Sequence, residues 1–306
     1  MAETDENLPS EELFDAEFLA SLDALRIWAR MVPAGGRHAE QRSKARGSGV
    51  EFTDVRPYSP GDDFRAIDWA LFQRLDKFFL RLFLEDEDLP VHFLLDSSRS
   101  MAVVGEGQVG PPRMKSALQS VAALAYILLE QGDRVSVQPF ADQPGPELPG
   151  TSGSRSFRRL LAWLAQLRFG GGTGLVDMLQ RFAQRRGRRG LAVIVSDFLD
   201  PAGPAAVLGA LGKLPHALLL VRIKQPGEEQ PQLAGELRLV DCEQESEVTV
   251  TVDKSFLQRY REAYMRYDAD LRSFASKRRG HYVEIRSDQA VPRQLAQLFR
   301  SGALQL

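Results

Sequence analysis

The hydrophobic pattern of this chain changes character near residue 90. Before that point, Leu13, Phe14, Phe18, Leu19, Leu22, Leu25, Ile27 and Trp28 recur at the spacing of an amphipathic helix over residues 13–32. Residues 33–49 are glycine-rich and basic and read as a loop. A stretch dense in charges and aromatics occupies 51–69, and FFLRLFL at 78–84 reads as a strand. The turn-like EDEDLP then leads into a second apolar run at 91–95, which suggests a hairpin.

Beyond residue 90, strands and helices alternate. Strands are expected at 91–95, 134–140, 191–197, 217–223, 247–253 and 281–286, and helices at about 112–131, 156–169, 174–185, 203–213, 254–277 and 290–300. EVTVTVD at 247–253 alternates strictly and predicts a half-exposed edge strand. The alternation of elements implies an α/β fold: a doubly wound, mainly parallel sheet with helices on both faces. A helical, turn-rich N-terminal arm precedes it. The expected domains are 1–87, with 1–12 polar, acidic and disordered, and 88–306.

In such sheets, ligands sit outside the carboxyl ends of the strands. Asp96 follows the strand 91–95 in LLDSSRSM, and Ser98 and Ser100 come at alternate positions after it. Asp197 ends the most apolar later strand. Thr173 lies in Gly170-Gly171-Gly172-Thr173-Gly174, just ahead of a helix that begins on the same rim. Three segments thus bring two carboxylates and three hydroxyls together. An all-oxygen set suits a hard cation, Mg²⁺ or Mn²⁺. Each piece alone also serves as a turn or helix cap, but their order and shared placement favour the metal reading. Ser98, Ser100 and Thr173 are expected as direct ligands, and Asp96 and Asp197 as ligands or as holders of coordinated water. With only two carboxylates, the ion would keep positive charge and favour a carboxylate from outside.

The set Asp96-x-Ser98-x-Ser100, Thr173 and Ser196-Asp197 resembles the metal-ion-dependent adhesion site of von Willebrand factor type A domains, over about residues 90–300. Phe198 stands where many such domains have glycine, which would narrow access to the ion. Ahead of it, GVEFTDVRPYSPGDDFRAIDW followed by LRLFLEDEDLPVHFLLDSSRSM closely resembles the bacterial family called domain of unknown function 58, from about Phe18 to the C-terminus. Members of that family are similar to von Willebrand type A domains and are commonly encoded beside MoxR-type AAA+ ATPases. The resemblance implies an accessory protein acting with such an ATPase in maturing or remodelling another protein or complex. Within the motif, Arg56 and Arg65 among Asp54, Asp62, Asp63 and Asp68 would form ion pairs, with Trp69 and Phe64 as anchors. Arg56, Asp62, Asp63, Arg65, Asp68 and Trp69 are therefore either a brace or a partner-docking surface.

Composition narrows the alternatives. A net charge of −2 and a pI near 6.2 give no case for coating nucleic acid or anionic lipid. Cys242 is the only cysteine, so an intrachain disulfide or a thiolate metal site is excluded. No apolar run is long enough to span a bilayer, and the acidic start is unlike a signal peptide, so a cytoplasmic protein is expected. The basic cluster Arg185-Arg186-Gly187-Arg188-Arg189 reads as a solvated helix end. His38, His92, His216 and His281 have no carboxylate at motif spacing, and no nucleophile elbow or Walker A loop is present. The leading expectation is therefore a non-enzymatic, metal-dependent protein-binding factor whose partner is a MoxR-type ATPase or a client protein offering a carboxylate. An Mg²⁺-dependent hydrolase built on the same oxygens is the alternative.

Overall fold

A computed structural model describes residues 10–31, 46–47, 51–59, 62–84, 88–103, 112–244, 246–302 and 304. The chain divides into a larger unit, residues 1–33 with 89–306, and a smaller one, residues 34–88.

The smaller unit is an antiparallel sheet of β1 (Arg46–Gly47), β2 (Glu51–Pro57) and β3 (Phe79–Leu84), in the order β1-β3-β2. A 3-10 turn, Phe64–Ala66, and a helix, Trp69–Leu75, connect β2 to β3. Each starts on an aspartate cap. Asp63 accepts from the Arg65 amide at 2.9 Å, and Asp68 accepts from Ala70 and Leu71 at 3.0 Å each. Phe72 stacks on Phe78 at 4.5 Å. The charged, aromatic stretch is thus a strand, a turn and a helix rather than an irregular arm. Of the basic loop expected at 33–49, only Arg46 and Gly47 fall within the described residues; Arg37, Arg42 and Lys44 lie outside them, as do residues 1–9.

In the larger unit, the helices α1 (Ser10–Leu13) and α2 (Ala16–Met31) come first. The central sheet takes β4 (Pro90–Asp96), β5 (Arg134–Phe140), β6 (Leu148–Thr151), β7 (Leu191–Ser196), β8 (Ala217–Lys224) and β11 (His281–Arg286), in the order β11-β8-β7-β4-β5-β6. All neighbours are parallel except β5 and β6. The α/β, mainly parallel architecture expected from the alternation is present. The chain moves from β4 to β5 on one side and returns to β7 on the other. The crevice outside β4 and β7 is therefore the switch point of the sheet.

Helices fill both faces. The helix Arg113–Glu130 lies against one face and is buried on nearly every side. Its outer side is covered by α2 and by Val291–Arg300. Leu13, Phe14, Phe18, Leu22 and Leu25 share a core with Leu118, Val121 and Leu128. Polar contacts reinforce this: Gln119 donates to the Leu13 carbonyl at 2.8 Å, and Arg26 pairs with Glu130 at 2.9 Å. Residues 10–31 therefore belong to the larger unit, whereas the division at residue 87 had put them in the arm. An amphipathic stripe announces that a helix is covered, not what covers it. On the opposite face, Leu175–Gln184, Pro204–Gly212 and Lys254–Lys277 pack over Leu94, Ile194 and Leu220.

Two other expectations are corrected. The strand at 79–84 pairs with β2, and 90–96 pairs with β5 and β7, so they form no hairpin with each other. The strand at 247–252 (β10) is not an edge of the central sheet. It pairs with β9 (Gly235–Val240) in a separate two-stranded sheet.

Candidate functional site

The carboxyl ends of β4 and β7 lie side by side, in register from Val91 with Leu191 to Leu95 with Val195. Asp96 and Ser196 are therefore neighbours, and the Ser196 hydroxyl donates to Asp96 Oδ2 at 2.6 Å. Asp96 Oδ1 accepts from the Ser98 amide at 3.0 Å, closing a tight turn at the strand end. The Ser98 side chain also hydrogen-bonds Asp96. Ser98 stands at the N-cap of the short helix Arg99–Ala102 but makes no capping bond; its Oγ lies 3.0 Å from Ser100 Oγ. The hydroxyl pair faces across the rim instead of serving the helix.

Asp197 makes a second turn of the same kind, its Oδ1 accepting from Leu199 N at 2.9 Å. Its other oxygen, Oδ2, is buried with no hydrogen-bond partner among the described residues. The nearest cation is Arg113, whose Nε stands 4.0 Å away and is itself unsatisfied. Arg113 is shared: Nη1 donates to the Ser100 carbonyl at 3.1 Å, and Nη2 pairs with Glu228 at 2.9 Å. Both acids are fully buried. Burial, and then the nearby Asp197 charge, push the Asp96 carboxyl up to about 7. Burial likewise raises Asp197, against the pull of Arg113.

The glycine-rich loop is pinned to this rim by its backbone. Gly170 N donates to the Ser97 carbonyl at 2.9 Å, and Arg99 N donates to the Gly171 carbonyl at 3.0 Å. Gly171 has a φ of +75°, and a Cβ at Gly174 would meet the Ala141 carbonyl at 2.7 Å, so neither position accepts a side chain cheaply. Thr173 is held between them. Its hydroxyl and amide donate to the two oxygens of Glu243, each at 2.7 Å. Glu243 lies in the turn between β9 and β10.

All five residues marked in the sequence thus belong to segments that meet on one rim, with direct contacts linking Ser98 to Asp96 and to Ser100. Sequence reasoning missed three neighbours: Glu243, Arg113 and Glu228. It also expected Phe198 to narrow access to an ion. The ring is instead fully buried with Leu94 and Phe140 in the core beneath the helices. Phe198 has a φ of 62°, the left-handed region that glycine favours.

Among the described residues, no three His, Cys, Asp or Glu side chains are grouped as a metal site.

In the smaller unit, the motif residues do different things. Asp62 binds Arg56 through both oxygens, at 2.6 and 2.8 Å, and accepts from Ser59 N. The Arg56 bond and then the Ser59 amide hold the Asp62 carboxyl below the usual range. Asp63 and Asp68 are caps, while Arg65 and Trp69 are exposed. The side chain of Asp54 lies outside the described set.

A family model described as "Protein of unknown function DUF58" matches residues 54–273. The chain belongs to this family. An uncharacterized protein of Mycobacterium tuberculosis H37Rv is 24% identical over 263 residues, covering 85% of this chain and 82% of the relative, and an uncharacterized Mycobacterium bovis protein matches equally. Among solved structures, the conserved hypothetical protein BatB from Bacteroides thetaiotaomicron aligns with 70% of this chain and 98% of its own, at 17% identity and a TM-score of 0.38. An aerotolerance-related membrane protein from Bacteroides fragilis aligns with 70% and 99%, at 16% identity and a TM-score of 0.40. TM-scores this low do not establish a shared fold. No helix among the described residues is long and apolar enough to cross a membrane.

Proposed function

We propose that this DUF58 protein is a metal-dependent protein-binding factor, with Mg²⁺ or Mn²⁺ held by Asp96, Ser98, Ser100, Thr173 and Asp197. One observation carries the reading: a buried carboxylate oxygen, Asp197 Oδ2, accepts no hydrogen bond among the described residues and has only Arg113 Nε at 4.0 Å, on a rim that also holds a second buried acid and the Ser98–Ser100 hydroxyl pair. A buried carboxylate oxygen without a hydrogen bond is costly, and a cation or its bound water would satisfy it. The donor set is all oxygen, which fits a hard ion. A bound ion would supply an electrophilic position for a carboxylate of another protein. The chain's own residues position that chemistry. Ser196 and the Ser98 amide orient Asp96, and Leu199 N orients Asp197.

The family resemblance points to a MoxR-type AAA+ ATPase, or its client, as the partner, in the cytoplasm. The exposed Arg65 and Trp69 of the smaller unit would offer it a second contact. The hydrolase alternative has no observation in its favour. His92 stands four residues before Asp96 on β4, and His216 and His281 lie at the opposite, amino ends of their strands. The test is Mg²⁺ titration of the full chain, with capture of a purified MoxR-type ATPase in Mg²⁺ and in chelator. Saturable binding and chelator-sensitive capture are expected. Absence of any divalent-ion binding would overturn the reading.

A further inference from the structure

The contact between Glu243 and Thr173 joins segments 70 residues apart and has a consequence for access to the rim. Glu243 sits at the tip of a hairpin, β9 and β10, that is not joined to the central sheet. Most of its residues are exposed; Val240 and Val248 are 59% and 57% exposed, and burial begins only at its base, at Val252. The hairpin is therefore held at its tip by few interactions. That tip is built to present Glu243: Asp241 Oδ1 accepts from the Glu243 and Gln244 amides at 2.7 and 3.0 Å, and Asp241 N donates to the Ser246 carbonyl at 2.8 Å. Both Glu243 oxygens are spent on Thr173. One takes the amide and the other takes the hydroxyl that the proposed metal site would use.

Electrostatics make this arrangement conditional. Glu243 brings a further carboxylate to the rim at Thr173. The nearby guanidinium of Arg113 is already paired with Glu228. The closed hairpin gains a charge-assisted pair of hydrogen bonds but brings like charges together. Such an element favours opening when another carboxylate offers more contact area.

We propose that the β9–β10 hairpin is a built-in latch: Glu243 occupies the place a partner's carboxylate would take at Thr173, and a protein partner with an exposed Asp or Glu must displace it. The second half of this statement rests on the metal-dependent reading above; the latch itself does not.

The test uses the full chain with Glu243→Ala and Glu243→Gln, and two probes that need no partner. Without metal, amide hydrogen exchange is followed at Thr173 and along 235–252. Exchange should quicken about tenfold or more in Glu243→Ala, because bonds to a charged group are the strong ones, while the amides of β4 and β7 stay unchanged. Glu243→Gln, which keeps the shape without the charge, should fall between. Unchanged hairpin exchange would overturn the latch. With Mn²⁺, the water-proton relaxation per bound ion should rise in Glu243→Ala, as a position that the chain filled becomes open to water. An unchanged relaxation would overturn the placement of Glu243 at the ion. If the wild-type chain binds no Mn²⁺ at all, the metal reading falls, and hydrogen exchange judges the latch alone.

Discussion

Arg113 and Glu228 form a buried ion pair, 2.9 Å apart, with side chains only 7% and 4% exposed. Glu228 is further held by Tyr264, which donates to Oε1 at 3.2 Å, and by Gln225 N at 2.9 Å. Arg113 reaches from there to Ser100 and toward Asp197. The pair therefore braces the oxygen-lined rim from below, tying the start of a core helix to the turn after β8.

Breaking such a pair strands a charge in the interior. Glu228→Ala and Arg113→Ala should each cost about 3–5 kcal/mol of unfolding free energy. Because either change removes the same interaction, the double substitution should cost much less than the sum. Denaturant unfolding of the four proteins in the cycle measures this. Strictly additive losses would show that the two residues act independently and that the rim is braced by something else.

The hydroxyl pair carries a second prediction. Ser98→Ala with Ser100→Ala removes two oxygens that face each other at 3.0 Å and leaves both carboxylates in place. Mg²⁺ affinity should fall at least about tenfold, in the range seen when ligands or their supports are lost. Stability should change little, since neither hydroxyl caps a helix. Isothermal titration of both proteins decides it. Equal affinity would place the ion elsewhere.

Phe198 separates backbone cost from packing. Its left-handed φ of 62° costs a non-glycine residue about 1–2 kcal/mol, offset by a fully buried ring. Phe198→Ala should lose about 3–5 kcal/mol by cavity formation and keep the strained backbone. Phe198→Gly leaves a similar cavity but relieves the strain, so it should be the more stable of the two by about 1 kcal/mol. Denaturation midpoints rank them. A glycine variant no better than alanine would mean that the backbone at 198 carries no strain.

The smaller unit yields a contrast between caps and exposed groups. Asp68→Ala removes an acceptor for two amides and should cost about 1 kcal/mol. Trp69 is 56% exposed, so Trp69→Ala should cost less than about 1 kcal/mol, far from the loss a buried tryptophan brings. If the surface docks a partner, Trp69→Ala and Arg65→Ala should melt normally and still fail to capture the MoxR-type ATPase. Normal melting with normal capture removes the docking role.

What the sequence made legible follows from the range of each interaction. Asp96, Thr173 and Asp197 were readable because strand ends in an alternating α/β pattern share a rim by construction. The helix 254–277 and the strand 281–286 have the bounds their patterns predict, with Tyr267 and Leu271 of the helix stripe buried. Glu243 was not readable. It lies in a polar turn of a hairpin whose first strand, GELRLV, had not been anticipated, and nothing local says that it returns to Thr173. Arg113 and Glu228, 115 residues apart, meet for the same reason only in three dimensions. The false hairpin at 78–95 shows the converse: two adjacent apolar runs with a polar turn satisfy hairpin spacing, yet β3 pairs back with β1 and β2 while β4 pairs onward with β5 and β7.

Acid sensitivity gives the last prediction. His216 is buried at the amino end of the sheet, stacked on Phe182 at 5.1 Å and edge-on to His92 at 5.4 Å. Gly190 N donates to its Nδ1 at 3.2 Å. Burial, then the neighbouring His92, and the charge of Arg189 bring its pKa down to about 4, from 6.5. Burial, then Arg185, lowers His92 too. His216 is held neutral in the folded protein down to about pH 4 and His92 takes up its proton less readily than a free ring, while the unfolded chain takes up protons below 6.5. At these two rings the unfolded state therefore binds more protons, and their contribution to stability falls as pH drops from about 6.5 toward 4, opposed in the same window by the raised carboxyl of Asp96. A separate window lies lower. Burial alone would raise Asp268, but hydrogen bonding with Tyr282, Glu284 and Lys224 outweighs it and holds the carboxyl at about 2. Its contribution is present above 3.8 and is lost as pH falls through about 2. His216→Gln removes that ring's titration and keeps those of His92 and Asp96, so its stability should decline less steeply than wild type between pH 6.5 and 4, while the two proteins keep the same slope well below that window. Urea unfolding across that range, in buffers without divalent ions, reads both windows. Parallel declines between pH 6.5 and 4 would show that the His92–His216 pair does not set the acid sensitivity of this fold.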